Sequence, residues 1–312
     1  MKKFLQNKVA ESRMALPACA VLATLVWLLC GLASQHWWIQ FLCFGVTAYL
    51  MVLLNNMHVL IRIYSRMVSC VFLLLACSAC FLFPSIRGGI MQVSVVAFYL
   101  ILFHTYQDRQ AAGLTFYAFA CLGVGTMVYV QLLYFVPFFW LLMATNLLSL
   151  SWRTWGASLV GLLLPYWFGC TWLVWQNDFT MLTDHFSHLD DFQFPVNYAR
   201  LGIRFMSVIG LLIVCTITGI VHYLNKSYND KIRLRMLYGI FVWIDLLALA
   251  AVCVQPQHQD MLLRLAIVNT APLLAHFLAL TSTKITDAAF RLFVAATLLI
   301  IAYNVWTSSY LF

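Results

Sequence analysis

Asp184, His185, His188, Asp190 and Asp191 stand within eight residues of one another in the stretch TDHFSHLDDFQFP, residues 183–195, of a chain with only ten acidic residues and eight histidines. On a helix, Asp184, His188 and Asp191 fall at i, i+4 and i+7 and share a face. Carboxylate and imidazole in that pattern are the donors of a zinc or manganese site, and equally the source of a general acid or base. These three are the candidate catalytic residues. No H-E-x-x-H or comparable signature accompanies them, so no metal is assigned and the cofactor is unknown. The same residues also describe a wet loop between two buried segments, which must be polar whatever it does.

A second signal is Asp245, in the middle of LYGIFVWIDLLALAAVCV. A carboxylate at the centre of a bilayer costs about 2.5–3.5 kcal/mol even on a lenient insertion scale, and normally faces a partner or a wet cavity. It could serve a proton relay, a substrate contact, or a structural hydrogen bond to another span. Asn269, at similar depth, is its expected partner. Asn269 and His276 are seven residues apart, hence on one helical face, with Pro272 between them; together they suggest a kinked stripe facing a cavity. Arg264 and Arg87, the latter in PSIRGG, carry the forked guanidinium that matches phosphate, although snorkelling of their long stems explains them equally. The candidate substrate-binding set is therefore Asp245, Asn269, His276, Arg264 and Arg87. His104 and His222 fall near span ends and read as interfacial.

The elements that must hold these residues follow from composition. Of 312 residues, 64% are hydrophobic and 9% charged, and the mean hydropathy is +0.90. A soluble domain carries about 25% charged residues. So apolar a chain lacks the polar surface to cover a globule in water, and a bilayer is its natural solvent. Crossing about 30 Å of hydrocarbon takes about 20 apolar residues. Segments of nearly that length are expected at 15–33, 37–54, 67–84, 90–106, 112–128, 130–150, 156–176, 205–224, 236–254, 262–281 and 288–307. The expected fold class is all-α, a polytopic transmembrane helical bundle forming a single integral membrane domain over 1–312. Its N-terminal stretch, 1–14, reads as a basic tail ahead of an uncleaved first helix.

Cationic residues flank membrane spans on the cytoplasmic side. With the N-terminus inside, fourteen of the eighteen cations fall inside: Lys2, Lys3, Lys8, Arg13, Arg62, Arg66, Arg109, Arg153, Lys226, Lys231, Arg233, Arg235, Lys284 and Arg291. Only Arg87, Arg200, Arg204 and Arg264 fall outside. The asymmetry implies a multi-pass membrane protein with its N-terminus cytoplasmic and its C-terminus outside. It also accounts for the net charge of +8 without nucleic acid as a partner; membrane lipids are the partners expected. Segment 177–204 is then an acidic outer loop and 225–235 a basic inner one. Segment 55–66 fits either an amphipathic interfacial helix, with Met57, Leu60, Ile61 and Tyr64 on one side, or an ordinary inner loop. Pro137, Pro165 and Pro272 each remove a helical hydrogen bond and so favour kinks.

Residues 113–168, GLTFYAFACLGVGTMVYVQLLYFVPFFWLLMATNLLSLSWRTWGASLVGLLLPYWF, order a span with a small-residue centre, a tyrosine- and proline-bearing span, an S-W-R-T-W turn and then L-x-G-L-L-L-P-Y. With HTYQDRQA before and APLLAHFLAL after, this resembles an uncharacterised polytopic membrane family of Bacteroidetes, a domain of unknown function. The resemblance implies an inner membrane, which would make the outer side and the C-terminus periplasmic, and no established activity or functional residues. A weaker likeness is to membrane glycosyltransferases that use polyprenyl-linked sugars. Their typical acidic residue lies in the first outer loop, which here is SQHWW and has no carboxylate. Three functions remain open: a cell-envelope component that binds or assembles lipid-linked glycans or other envelope proteins, a membrane-embedded transferase acting at the outer face, and a transporter or flippase using Asp245. Whether the chain is an enzyme stays open with them.

Overall fold

The computed structural model describes residues 4–176, 180–191 and 202–309; Lys2, Lys3, Arg200 and part of the expected outer loop lie outside these. The described residues are helical, without strands. In chain order the α-helices are α1 (Leu5–Ala10), α2 (Ala15–Leu29), α3 (Trp38–His58), α4 (Met67–Ser78), α5 (Ile86–Leu102), α6 (Ala112–Val128) and α7 (Val136–Thr145). They continue with α8 (Trp152–Gln176), α9 (Thr180–Ser187), α10 (Ile203–Lys226), α11 (Ile232–Val254), α12 (Gln259–Leu280) and α13 (Lys284–Ser309). Among the described residues, 7 helices are long and apolar enough to cross a membrane: α3, α5, α8, α10, α11, α12 and α13 with their flanking turns. Four further apolar helices are shorter: α2, α4, α6 and the stretch Val130–Thr145. Each expected segment overlaps one of these helices.

The sequence misplaces some boundaries for local reasons. α3 stops where Val59 takes a left-handed conformation, φ 50. Residues 60–66 are not helical, so 55–66 is the end of a helix and a loop rather than one interfacial helix. Buried Leu60 and Ile61 anchor that loop, and Tyr238 donates a hydrogen bond to the Leu60 carbonyl at 3.1 Å. α4 has only 12 residues, about 18 Å of rise, and a 3-10 turn, Cys80–Leu82, extends it. Pro137 starts α7, after a 3-10 stretch at Val130–Phe135, instead of kinking a continuous span. A first-turn proline loses no internal bond. Pro165 and Pro272 do lie inside helices.

The chain packs as two compact units, one built from its two ends, 1–86 and 197–312, and the other from 87–196. At the centre of the first unit lies α12, whose apolar window is 94% buried. It packs against α1, α4, α10 and α11. A helix that is apolar all round belongs inside a bundle. The approach of α10 to α12 is close because Gly219 has no side chain: a Cβ there would lie 2.9 Å from the Leu273 Cβ. The expected basic tail is in part structured. Gln6 of α1 donates from its backbone nitrogen to Asp287 at 2.9 Å and from its amide to the Leu278 carbonyl and Thr281. In the second unit α6 and α8 cross in backbone contact. A Cβ on Gly161 would lie 2.3 Å from the Phe116 carbonyl oxygen, and one on Gly123 2.7 Å from that of Leu162. Phe98, Phe119 and Phe139 form an edge-to-face aromatic core beside this crossing.

Candidate functional sites

Asp245 is fully buried on α11. Its carboxylate takes hydrogen bonds from Thr216 of α10 at 2.8 Å and from Thr270 of α12 at 2.9 and 3.1 Å. The two hydroxyls are themselves 3.0 Å apart. Gly219 and Leu273 lie three residues beyond Thr216 and Thr270, so the close backbone approach one turn away sets the hydroxyls within reach of one carboxylate. The partner expected from sequence, Asn269, stands next to the residue that fills the role; its own amide donates to the Leu265 carbonyl at 2.7 Å. Depth alone favoured Asn269, whereas the direction of the side chain around α12 selects Thr270. No cation is among the hydrogen-bond partners of Asp245 in the described residues.

Arg264 and His276 lie toward the two ends of the same helix. Arg264 is a buried cation held by Asp260 at 2.8 Å, one helical turn before it, and by the Leu82 carbonyl. Asp260 in turn accepts from Ser85. This arginine, expected to snorkel or to reach a phosphate, is thus engaged with protein groups. Arg87 is exposed at the start of α5, in the second unit.

His276 is 2% exposed, and its Nε2 meets the Asp230 carboxylate at 2.9 Å. The ring of His222, on α10, lies 5.3 Å away, and Tyr238 sits edge-on to His276 at 4.7 Å. Among the described residues no hydrogen-bond partner reaches Nδ1 of His276 or Nε2 of His222. Both rings line a cavity of about 710 Å³, with Arg62, Lys226 and Asp230 among the polar walls and Ile217 and Phe277 among the apolar ones. Asn269 is not among its lining residues, so the two residues expected to share a stripe part company. Burial pushes the Asp230 carboxyl up, but its hydrogen bond to His276 and the charges of His276, Arg62 and His222 outweigh that and hold it below the ordinary value. Sequence reasoning passed over Asp230 and took His222 as interfacial. The available signal was a lone carboxylate in the otherwise cationic run KSYNDKIRLR.

The 184–191 cluster belongs to the second unit. α9 ends at Ser187, and residues 188–190 form a 3-10 turn. The expected single face is therefore broken, and Asp184, His188 and Asp191 are all exposed. The turn is tied down through its backbone: Gln131 donates to the His188 carbonyl at 3.1 Å and Tyr134 to that of Leu189. The residue that turns inward is His185, which sequence spacing had left out. It faces the Tyr166 hydroxyl at 3.4 Å and lines a cavity of about 240 Å³ with Met127, Trp172 and Leu173. Burial lowers the His185 pKa, a backbone hydrogen bond to Thr126 opposes this, and the nearby His188 charge adds to the lowering. Among the described residues no group of three or more histidine, cysteine or acidic side chains is placed to hold a metal ion. Comparison of the chain with family models, curated proteins and solved structures finds no match in any of the three.

Proposed function

We propose that this chain is an eleven-span protein of the inner membrane of a Gram-negative cell, N-terminus cytoplasmic and C-terminus periplasmic. In this reading it is a binding or assembly component of the envelope, working around lipid-linked glycans. The observation that carries the reading is the closed setting of Asp245. Its oxygens are taken by the hydroxyls of Thr216 and Thr270 between three packed helices. A carrier that moves a proton or a solute through this residue needs it beside a wet path. A fastening between helices needs what is found here. The distribution of cations along the sequence supports the orientation, and the likeness to a Bacteroidetes membrane family supports the compartment.

A second reading is a transferase at the outer face. The cavity beneath His185 and Tyr166, next to the exposed acids of the 184–191 turn, favours it. Complementation of a deletion strain separates the readings. Asp245→Asn keeps the shape and one accepting oxygen, and is expected to fold, to lose about 1 kcal/mol and to restore growth under envelope stress. The double variant Asp184→Asn, Asp191→Asn is expected to do the same. A folded Asp245→Asn protein that fails to complement hands the case to transport. A folded double variant that fails hands it to transfer.

A further inference from the structure

We infer that the cavity between α10, α12 and the start of α13 is a binding site for a phosphate-bearing ligand. The rings of His276 and His222 line it, and Nδ1 of the first and Nε2 of the second are buried without a hydrogen-bond partner among the described residues. An unpaired buried polar atom carries a desolvation cost that a ligand would remove. Asp230 engages Nε2 of His276 at 2.9 Å, which leaves Nδ1 for another partner.

The rest of the wall decides the sign of the ligand. Arg62 and Lys226 line the cavity, and Asp230 is the one carboxylate among its lining residues. That carboxylate is already engaged by His276. Ser282, Thr283 and Thr286 bring the start of α13 into the wall, and the first turn of a helix favours negative charge. A guanidinium fork, an ammonium and imidazole rings together suit a phosphate, which presents several strong acceptor oxygens. A cation would meet Arg62 and Lys226 unfavourably, in keeping with the absence of a metal-holding cluster among the described residues. At about 710 Å³ the cavity is much larger than the ion alone, and Ile217, Val221, Phe277 and Leu280 give it an apolar side. Free phosphate and a phosphate carried on an apolar tail share this chemistry. The inference rests on the chain lying in a bilayer, and it goes beyond the assembly reading by naming the chemistry of a ligand.

The test uses the purified full chain. Native mass spectrometry in detergent compares dioleoyl phosphatidic acid with dioleoyl phosphatidylcholine, and calorimetry in phosphatidylcholine nanodiscs titrates inorganic phosphate and pyrophosphate. One saturable phosphatidic acid, held at least about tenfold more tightly than phosphatidylcholine, supports a lipid source. Saturable binding of the inorganic anions supports a free one. In either case the double variant Arg62→Gln, Lys226→Gln, both exposed at the rim, should remain folded and bind about tenfold more weakly, as loss of a charge-assisted hydrogen bond requires. His222→Asn should weaken it similarly without touching the Asp230–His276 pair. Equal retention of the two lipids with no uptake of the anions overturns the proposal, and so does unchanged binding in both variants. Such a failure leaves the envelope reading intact, because the nanodisc sample itself reports membrane insertion.

Discussion

Asp230 is the residue in which burial and charge compete most openly. Its side chain is 6% exposed, yet its carboxyl stays below the ordinary value of 3.8 because His276, Arg62 and His222 favour the anion. A carboxylate whose folded-state pKa is depressed contributes stability that is fully present above its unfolded value. That stability is lost as pH falls through the folded value. Melting temperatures of the solubilised protein, taken from about pH 7 down to about pH 3, should therefore fall at the acidic end of the range. Asp230→Asn should start lower and lack that portion of the fall. A variant curve parallel to the wild-type one throughout would remove the pair from the list of stabilising contacts. Asp245 differs in kind, since its partners are neutral hydroxyls.

At the level of elements, α12 is fixed at three heights. Arg264, Thr270 and His276 are six residues apart, about 9 Å of rise at each step and about 120° of rotation. Each therefore points to a different neighbour: the end of the α4 segment through Leu82, Asp245 of α11, and Asp230 beyond α10. Interhelical polar contacts in membranes average only about 0.6 kcal/mol, so they align the helix more than they hold it. Packing supplies the rest, and glycines set its distances. In the second unit, Gly161→Leu forces α8 away from the Phe116 carbonyl of α6. The expected cost is about 1–3 kcal/mol or more, in the range of overpacked cores. Leucine at Gly156, where an added Cβ meets nothing within 4 Å, should be tolerated. Thermal unfolding of the two variants checks the contrast, and equal stabilities would contradict the close crossing.

For the whole molecule, the decisive quantity is the number of crossings. Among the described residues, seven helices meet the length and composition for a span, and four apolar ones fall short. If all cross, the chain begins and ends on opposite sides. A reporter active only in the periplasm, fused after Phe312, is then expected to be active, and one fused after Asp230 inactive. Activity at both positions, or at neither, would require an even count between them and would undo the orientation argued from the cations. The proposed ligand cavity would change sides with it, although its lining would not.

Composition alone decided the class of this protein: with 9% charged residues, apolar segments can hide their backbone from lipid only as helices or closed barrels, and their lengths favour helices. The location of each longer apolar helix was legible because hydropathy is summed over many residues, whereas the short helices Leu5–Ala10 and Thr180–Ser187 lay in the expected tail and loop. The sites were legible only in part. Asp245 and His276 stood out as polar atoms in apolar runs, and both are buried in polar contacts. Their partners did not stand out, because Thr216, Thr270 and Asp230 come from other helices and loops, and an ordinary threonine in a span gives no signal. Spacing along one helix also misled. It grouped Asn269 with His276, and Asp184 with His188 and Asp191, as if each helix had one working face. The fold buries α12 on every side and breaks the 180–191 helix at Ser187. Which groups meet is fixed by the rotation and close approach of neighbouring helices, and those depend on contacts between residues far apart in the chain.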